Sequence, residues 1–202
     1  IDYLEDVEEI LNILPEKLKD YEKLITENLI FIRRTVEKGV LDIQTALDYA
    51  ITGVNLRASG ICMDNRLQDN LYRGFDIGVV VRDEKDSMAR YKARIDEIRE
   101  SIKIIRQALE VIKSNPDLEQ KLINPINLKL PEGDYHSEIE APRGLAGCYI
   151  RSLGKNEPYR LKWRTGSYYS VNLLRKLLVG EYLNDAIAIA GSLDIILPEV
   201  DK

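Results

Sequence analysis

The stretch DSMARYKARIDEIRESIKIIRQALEVIK, residues 86 to 113, limits the fold more than any other part of the chain. Met88, Tyr91, Ile95, Ile98, Ile102, Ile105, Leu109 and Ile112 follow one another at alternating spacings of three and four. Such spacing keeps all eight on one face of a helix, so the stretch predicts one long helix with an apolar seam packed on neighbouring helices. Arg90, Arg94, Glu97 and Glu100 fall off the seam, and the simplest reading gives them a solvated face.

Other helices follow from local signals. DYLEDVEEILNIL and PEKLKDYEKLITENLIFIRRTVEKG read as helix, break, helix, with Pro15 at a first helical position and Gly39 as a stop. Asp42 can cap a short helix over LDIQTALDYAI that ends near Gly53, and TGVNLRASGICMDNR then reads as a loop. Three prolines in residues 114–135 predict an irregular linker. GCYIRSLG and PYRLKWR around KNE predict a β hairpin within 136–165, followed by two short helices and a tail over 166–202. The expectation is a single domain, helical over 1–113, mainly α with a small antiparallel β element.

Charge and composition exclude some functions. Of 202 residues, 29 are Lys or Arg and 34 Asp or Glu, a net 29 − 34 = −5 with both signs interspersed. A nucleic-acid binder would carry a basic face, so nucleic acid is not an expected partner. No apolar run approaches the roughly 20 residues of a membrane-spanning helix, and the acidic opening IDYLEDVEEI does not read as a secretory leader. Cys62 and Cys148 are expected as free buried thiols. With His136 the one histidine and no CxxC pair, a zinc or iron–sulfur site is not expected here.

Two short motifs can carry chemistry. EAPRGLAGCYI places Pro142 and Arg143 in a tight turn at the head of a strand, which aims a planar, always-charged guanidinium from rigid backbone. The tail SLDIILPEVDK sets Asp194 among aliphatic residues, where a carboxylate needs a partner, and Arg143 is the natural one. Taken alone, each residue is better explained as structural, closing an ion pair, than as functional.

Taken together, LRASG with the following Asp64 and Arg66, the ARY-x-x-R-x-x-E-x-x-x-S-x-x-I helix, PRG and the closing SLDI-x-L-x-EVD form an ordered set. In that order the chain resembles the C-terminal half of the 49-kDa (D) subunit family of respiratory complex I, the proton-pumping NADH:quinone oxidoreductase. Arg57, Ser59 and Gly60 belong to the LRASG motif. The family shares its fold with the large subunit of nickel–iron hydrogenases, so a helical-bundle core of that fold is implied. In a hydrogenase the final segment reads Asp-Pro-Cys-x-x-Cys. Asp194 matches the aspartate, while Ile196 and Glu199 occupy the positions of the metal-binding cysteines. Without thiolates, nickel and iron are not expected.

The resemblance implies that the old metal cavity has become part of a quinone headgroup chamber. Asp194, Ile196, Leu197, Glu199, Arg143 and Pro142 are then wall candidates, and Lys202 lies towards a partner's iron–sulfur cluster. Quinone would be the substrate, with the iron–sulfur cluster, flavin and NADH on other subunits and no cofactor bound directly. Implied partners are the iron–sulfur (B) subunit, the (C) subunit and the membrane quinone-site (H) subunit of complex I, with the chain peripheral on the cytoplasmic face of the inner membrane. The sequence also departs from the family: Val54 stands for its usual proline and Lys202 for its usual arginine. The family's N-terminal half, with a histidine and a tyrosine that meet quinone, is not in this chain, and NPINLKLPEGD replaces a helical insertion. The chain thus reads as an excised piece, inactive alone. A metal-free relative from the membrane-bound hydrogenase group and a purely scaffolding domain are the alternatives.

Overall fold

The structure, a computed structural model, describes residues 2–115 and 129–201. Most of the predicted linker and the terminal Lys202 lie outside the described residues. The chain is mainly helical, with one small antiparallel sheet.

The long seam helix exists as α5 (Ser87–Ser114), capped by the Asp86 carboxylate, which accepts from the Ala89 amide at 2.7 Å. Its partner is α1 (Asp2–Tyr21), whose Leu4, Val7, Leu11, Leu14 and Leu18 repeat the three–four spacing and pack on Ile95, Ile102 and Leu109. The two helices run antiparallel, with Glu8 meeting Lys113 at one end and Glu22 meeting Arg99 at the other. Only one edge of the seam is covered: Met88, Ile102 and Leu109 are buried, but Ile98, Ile105 and Ile112 stay about 40% exposed.

Pro15 does not break the helix; α1 runs through it. A proline in a helix interior removes the donor for the carbonyl four residues back. That carbonyl belongs to Leu11, and Arg106 of α5 donates to it at 3.1 Å. Tertiary packing and one long-range donor thus override the local signal. A π-helical turn (Glu22–Thr26) leads to α2 (Leu29–Thr35), capped by Asn28.

Asp42 caps α3 (Ile43–Asp48) as expected. Gly53 does not end that helix but opens α4 (Gly53–Arg57), a buried turn inside the stretch expected to be a loop. The short motif hid this helix because tertiary burial, not propensity, sustains five residues. The sheet has three strands, not two: β1 (Gly133–Ala141), β2 (Gly144–Ser152) and β3 (Arg160–Arg164), in the order β1-β2-β3. Strand β1 escaped the pattern because most of its side chains are exposed, so no apolar alternation marks it.

The last third closes with α6 (Gly166–Leu177), α7 (Leu183–Ser192) and a single turn, α8 (Leu197–Val200). Leu41, Leu56, Leu173, Ile189 and Leu193 form the core beneath this end. Cys62 is exposed and Cys148 half-buried, both as free thiols, so the expectation of buried thiols fails for Cys62. Among the described residues, no helix is long and apolar enough to cross a membrane.

Candidate functional site

The last carbonyls of a helix have no intrahelical partner and need donors from elsewhere. At the end of α7 each of three consecutive carbonyls takes one side chain. Arg94 Nη1 donates to Ser192 O at 2.7 Å, Asn55 Nδ2 to Leu193 O at 3.1 Å and Arg143 Nε to Asp194 O at 3.0 Å. Two of the three donors are guanidinium groups, the sign that the helix dipole favours at a C-terminus. Asp194 itself turns the chain with φ 55°, in the left-handed region that aspartate tolerates better than most residues. Arg90 adds a fourth tie, donating from Nε to Ser192 Oγ at 2.9 Å.

Three of these four ties come from α4 and α5, elements far from the tail in sequence, and the fourth, from Arg143, comes from the turn between β1 and β2. Arg90 is fully buried and has no carboxylate at hydrogen-bond distance; it also donates to Lys85 O, Gly39 O and Ser87 Oγ. Burial lowers its pKa to about 9, helped by the neighbouring Arg94 charge and opposed by Asp86. Burial likewise lowers Arg94 to about 10, with Asp194 opposing and Arg143 adding to the shift. Both arginines remain cations at neutral pH. The expectation of a solvated face for Arg90, Arg94 and Glu97 is therefore wrong. One sequence signal existed: like charges four residues apart are unfavourable on an exposed helix face, and Arg90 and Arg94 have that spacing.

The Pro142–Arg143 turn, which joins Ala141 to Gly144 across the hairpin, is clamped by close backbone approaches. A Cβ on Gly53 would lie 2.4 Å from Gly144 Cα, and one on Gly166 would lie 2.0 Å from Arg143 O. The Leu145 amide donates to Thr52 Oγ1 at 2.9 Å. So held, the Arg143 guanidinium spans two acids, with Nε 3.4 Å from Asp194 Oδ2 and Nη1 3.5 Å from Glu199 Oε1. Glu199 is pinned in turn, accepting from Ser167 Oγ at 2.5 Å, while Thr165 Oγ1 donates to its carbonyl. The sequence-based pairing of Arg143 with Asp194 is present in the fold.

Beside this clamp lies a buried ionic cluster. Arg57 meets Glu140 at 2.7 Å, Glu97 at 2.9 Å and Asp64 at 3.6 Å. Arg66 donates to Glu97 at 2.8 Å and pairs with Asp64. Burial pushes the Asp64 carboxyl up, but the hydrogen bond from Arg66 and the two guanidinium charges outweigh it and hold it below the ordinary value of 3.8. Ser59 is fully buried, donating to Asn55 O at 3.3 Å, and Gly60 adopts φ 96°. The LRASG motif therefore builds the scaffold that joins α4, α5 and the end of β1.

A cavity of about 460 Å³ opens between the cluster and the tail. Arg57, Arg94, Glu97, Glu140, Pro142 and Asp194 are among its walls, together with Val54 and Ile98. Its accessible surface is mostly apolar, although six charged side chains, Arg57, Arg66, Arg94, Glu97, Glu140 and Asp194, converge on it. Of the wall candidates, Pro142 and Asp194 line this cavity, whereas Arg143, Ile196, Leu197 and Glu199 do not, although Arg143 pairs with both Asp194 and Glu199. The apolar tail is not buried throughout: Leu193 is 1% exposed, but Ile196 is 37% and Leu197 74% exposed. Lys202 lies outside the described residues. Sequence reasoning missed Asn55, Arg90 and Arg94 as site-forming residues. Among the described residues, no three His, Cys, Asp or Glu side chains converge as metal ligands would.

Comparison with known proteins adds an independent line. The family described as "Respiratory-chain NADH dehydrogenase, 49 Kd subunit" matches residues 1–202. The D-type subunit of NADH-quinone oxidoreductase from Geobacillus thermodenitrificans is 43% identical over 201 residues, 98% of this chain and 54% of that protein. The protein of the same name from Bacillus cytotoxicus is 40% identical over the same shares. The chain thus spans about half the length of the curated relatives it matches. Among solved structures, the membrane-bound sulfane sulfur reductase, an archaeal respiratory membrane complex, contains a chain of the same fold. The TM-score is 0.90 at 36% identity, covering 100% of this chain and 56% of that one.

Proposed function

The chain belongs to the 49-kDa subunit family of respiratory-chain NADH dehydrogenases, and from that premise we propose that its α7–α8 tail and Pro142–Arg143 turn wall a quinone headgroup chamber. One observation carries the reading: Asp194, in a strained left-handed turn, lies beside the rigidly aimed Arg143 at 3.4 Å and at the edge of a 460 Å³ cavity. A quinone needs an apolar slot and a few polar groups that place its oxygens and deliver protons. Ile196 and Leu197 offer exposed apolar surface for such a slot, and Asp194, Arg143 and Glu199 offer the polar groups. Glu199 is fixed by Ser167 and Arg143, which suits it to orient the arginine.

On this reading the electrons arrive near Lys202 from an iron–sulfur cluster on the partner (B) subunit. The (C) and membrane (H) subunits complete the surroundings, and flavin and NADH bind elsewhere in the complex. The assembly pumps protons from a peripheral position on the cytoplasmic face of the inner membrane or its organellar equivalent. Ile196 and Glu199, standing where hydrogenases hold thiolates, leave this chain without a nickel site.

The experiment is Asp194→Ala in the intact complex, with quinone reduction normalised to assembled complex. A loss of roughly tenfold or more, as expected for a displaced proton-transfer group, supports the reading. Unchanged normalised activity with reduced assembly would leave a scaffold role instead. The fold match to the sulfane sulfur reductase complex favours one second reading, a metal-free subunit of a hydrogenase-like membrane complex. Purified complex that reduces a sulfane-sulfur substrate and not quinone would select it.

A further inference from the structure

We propose that Arg94 is the positioning residue for Asp194, setting where that carboxylate sits against the cavity through the Ser192 carbonyl and the Asn55 side chain. The inference rests on the reading of the tail as a chamber wall and adds to it a residue from the middle of the chain.

The geometry is specific. Arg94 Nη1 donates to Ser192 O at 2.7 Å, two residues before Asp194, and Nη2 donates to Asn55 Oδ1 at 2.9 Å. Asn55, itself buried, donates through Nδ2 to Leu193 O, so one guanidinium and one amide grip successive carbonyls. A second bond from Nη1 to Arg90 O at 3.0 Å ties Arg94 to its own helix, so the grip is anchored to α5 rather than to the tail. Arg94 Nε is buried without a hydrogen-bond partner and stands 3.9 Å from Asp194 Oδ2. It therefore adds a second positive charge to the one that Arg143 presents at 3.4 Å. The planar fork makes these contacts from fixed positions, which a lysine ammonium on a flexible stem cannot copy in full.

A residue that only holds the fold and one that acts through Asp194 differ in a double-mutant cycle. In the intact complex, Arg94→Gln should lower kcat for quinone reduction by about tenfold with KM changed by less than about twofold, because a misplaced Asp194 slows turnover while the rest of the cavity wall is unchanged. Arg94→Lys, which keeps the charge on a single donor nitrogen, should recover kcat to within roughly threefold of the parent. Asp194→Asn combined with Arg94→Gln should be no slower than Asp194→Asn alone, because Arg94 has then lost the group it positions. Losses that multiply would overturn the inference while leaving the Asp194 reading intact. Normalised turnover unchanged in Asp194→Asn would sink the chamber reading and this inference with it. If Arg94→Gln does not assemble, the same cycle with Arg94→Lys decides: a loss that persists in the Asp194→Asn background overturns the proposal.

Discussion

The two halves of α5 carry the same apolar seam and do different work. In the C-terminal half the residues off the seam face water: Lys103 and Lys113 are each 41% exposed and pair with acids at the surface. In the N-terminal half, off-seam residues turn to the interior instead. Arg90 is 0% exposed, and Glu97 has 14% of its side chain accessible. The difference arises from what lies opposite. The C-terminal half packs on α1 and ties to the exposed loop at Asp76, whereas the N-terminal half is enclosed by α4, α7 and the segments that carry Gly39 and Lys85. A seam therefore reports which face is apolar and leaves open whether the other face is wet. Where polar side chains are buried opposite a seam, they need mutual partners, and here those partners are the site.

The largest contrast between the halves should come from Arg90→Ala. It removes four donated bonds in the interior and should destabilise the chain by roughly 3–5 kcal/mol, since each stranded buried acceptor costs about 1–3 kcal/mol less partial relaxation. Denaturant unfolding measures this. A loss below about 1 kcal/mol would mean that the N-terminal half is effectively solvated.

Acid should act next, and on the same half. The Asp64 carboxyl is held below its ordinary value of 3.8 in the fold, so its contribution is present above that pH and is lost as pH falls through the folded-state value. Hydrogen exchange below pH 3.8 should therefore rise around Arg57, Asp64 and the first turns of α5 before it rises where α1 meets Leu109. Simultaneous loosening of both halves would erase the contrast.

Smaller effects belong to the C-terminal half. Arg106→Ala leaves the Leu11 carbonyl opposite Pro15 without its donor and should cost about 1 kcal/mol. Lys113→Ala, at an exposed pair, should change stability less than Arg106→Ala does. Reversal of that order would indicate that Pro15 is accommodated without Arg106.

Much of the fold was legible because it rests on local periodicity and caps: the α5 seam, the Asp42 cap and the two closing helices all obey short-range rules. Strand β1 and helix α4 were not legible. The first is mostly solvent-facing, and the second owes its five residues to burial between the hairpin and α5. In the site, Arg143 and Asp194 could be paired from sequence because Arg143 heads a stiff Pro-Arg-Gly turn and Asp194, set among aliphatics, needs a cation. The roles of Asn55, Arg90 and Arg94 could not, because a donor to a helix's last carbonyl leaves no periodic trace. The like-charged pair at positions 90 and 94 was the one available hint.

Photoaffinity labelling shows whether the tail and turn face quinone. The intact complex would be treated with a quinone bearing a photoreactive group on its ring, and the labelled peptides mapped by mass spectrometry. Label is expected within residues 194–199 or at Pro142 and Arg143, competed away by excess unmodified quinone. Competed label confined to other subunits, with none on these two segments, would contradict it.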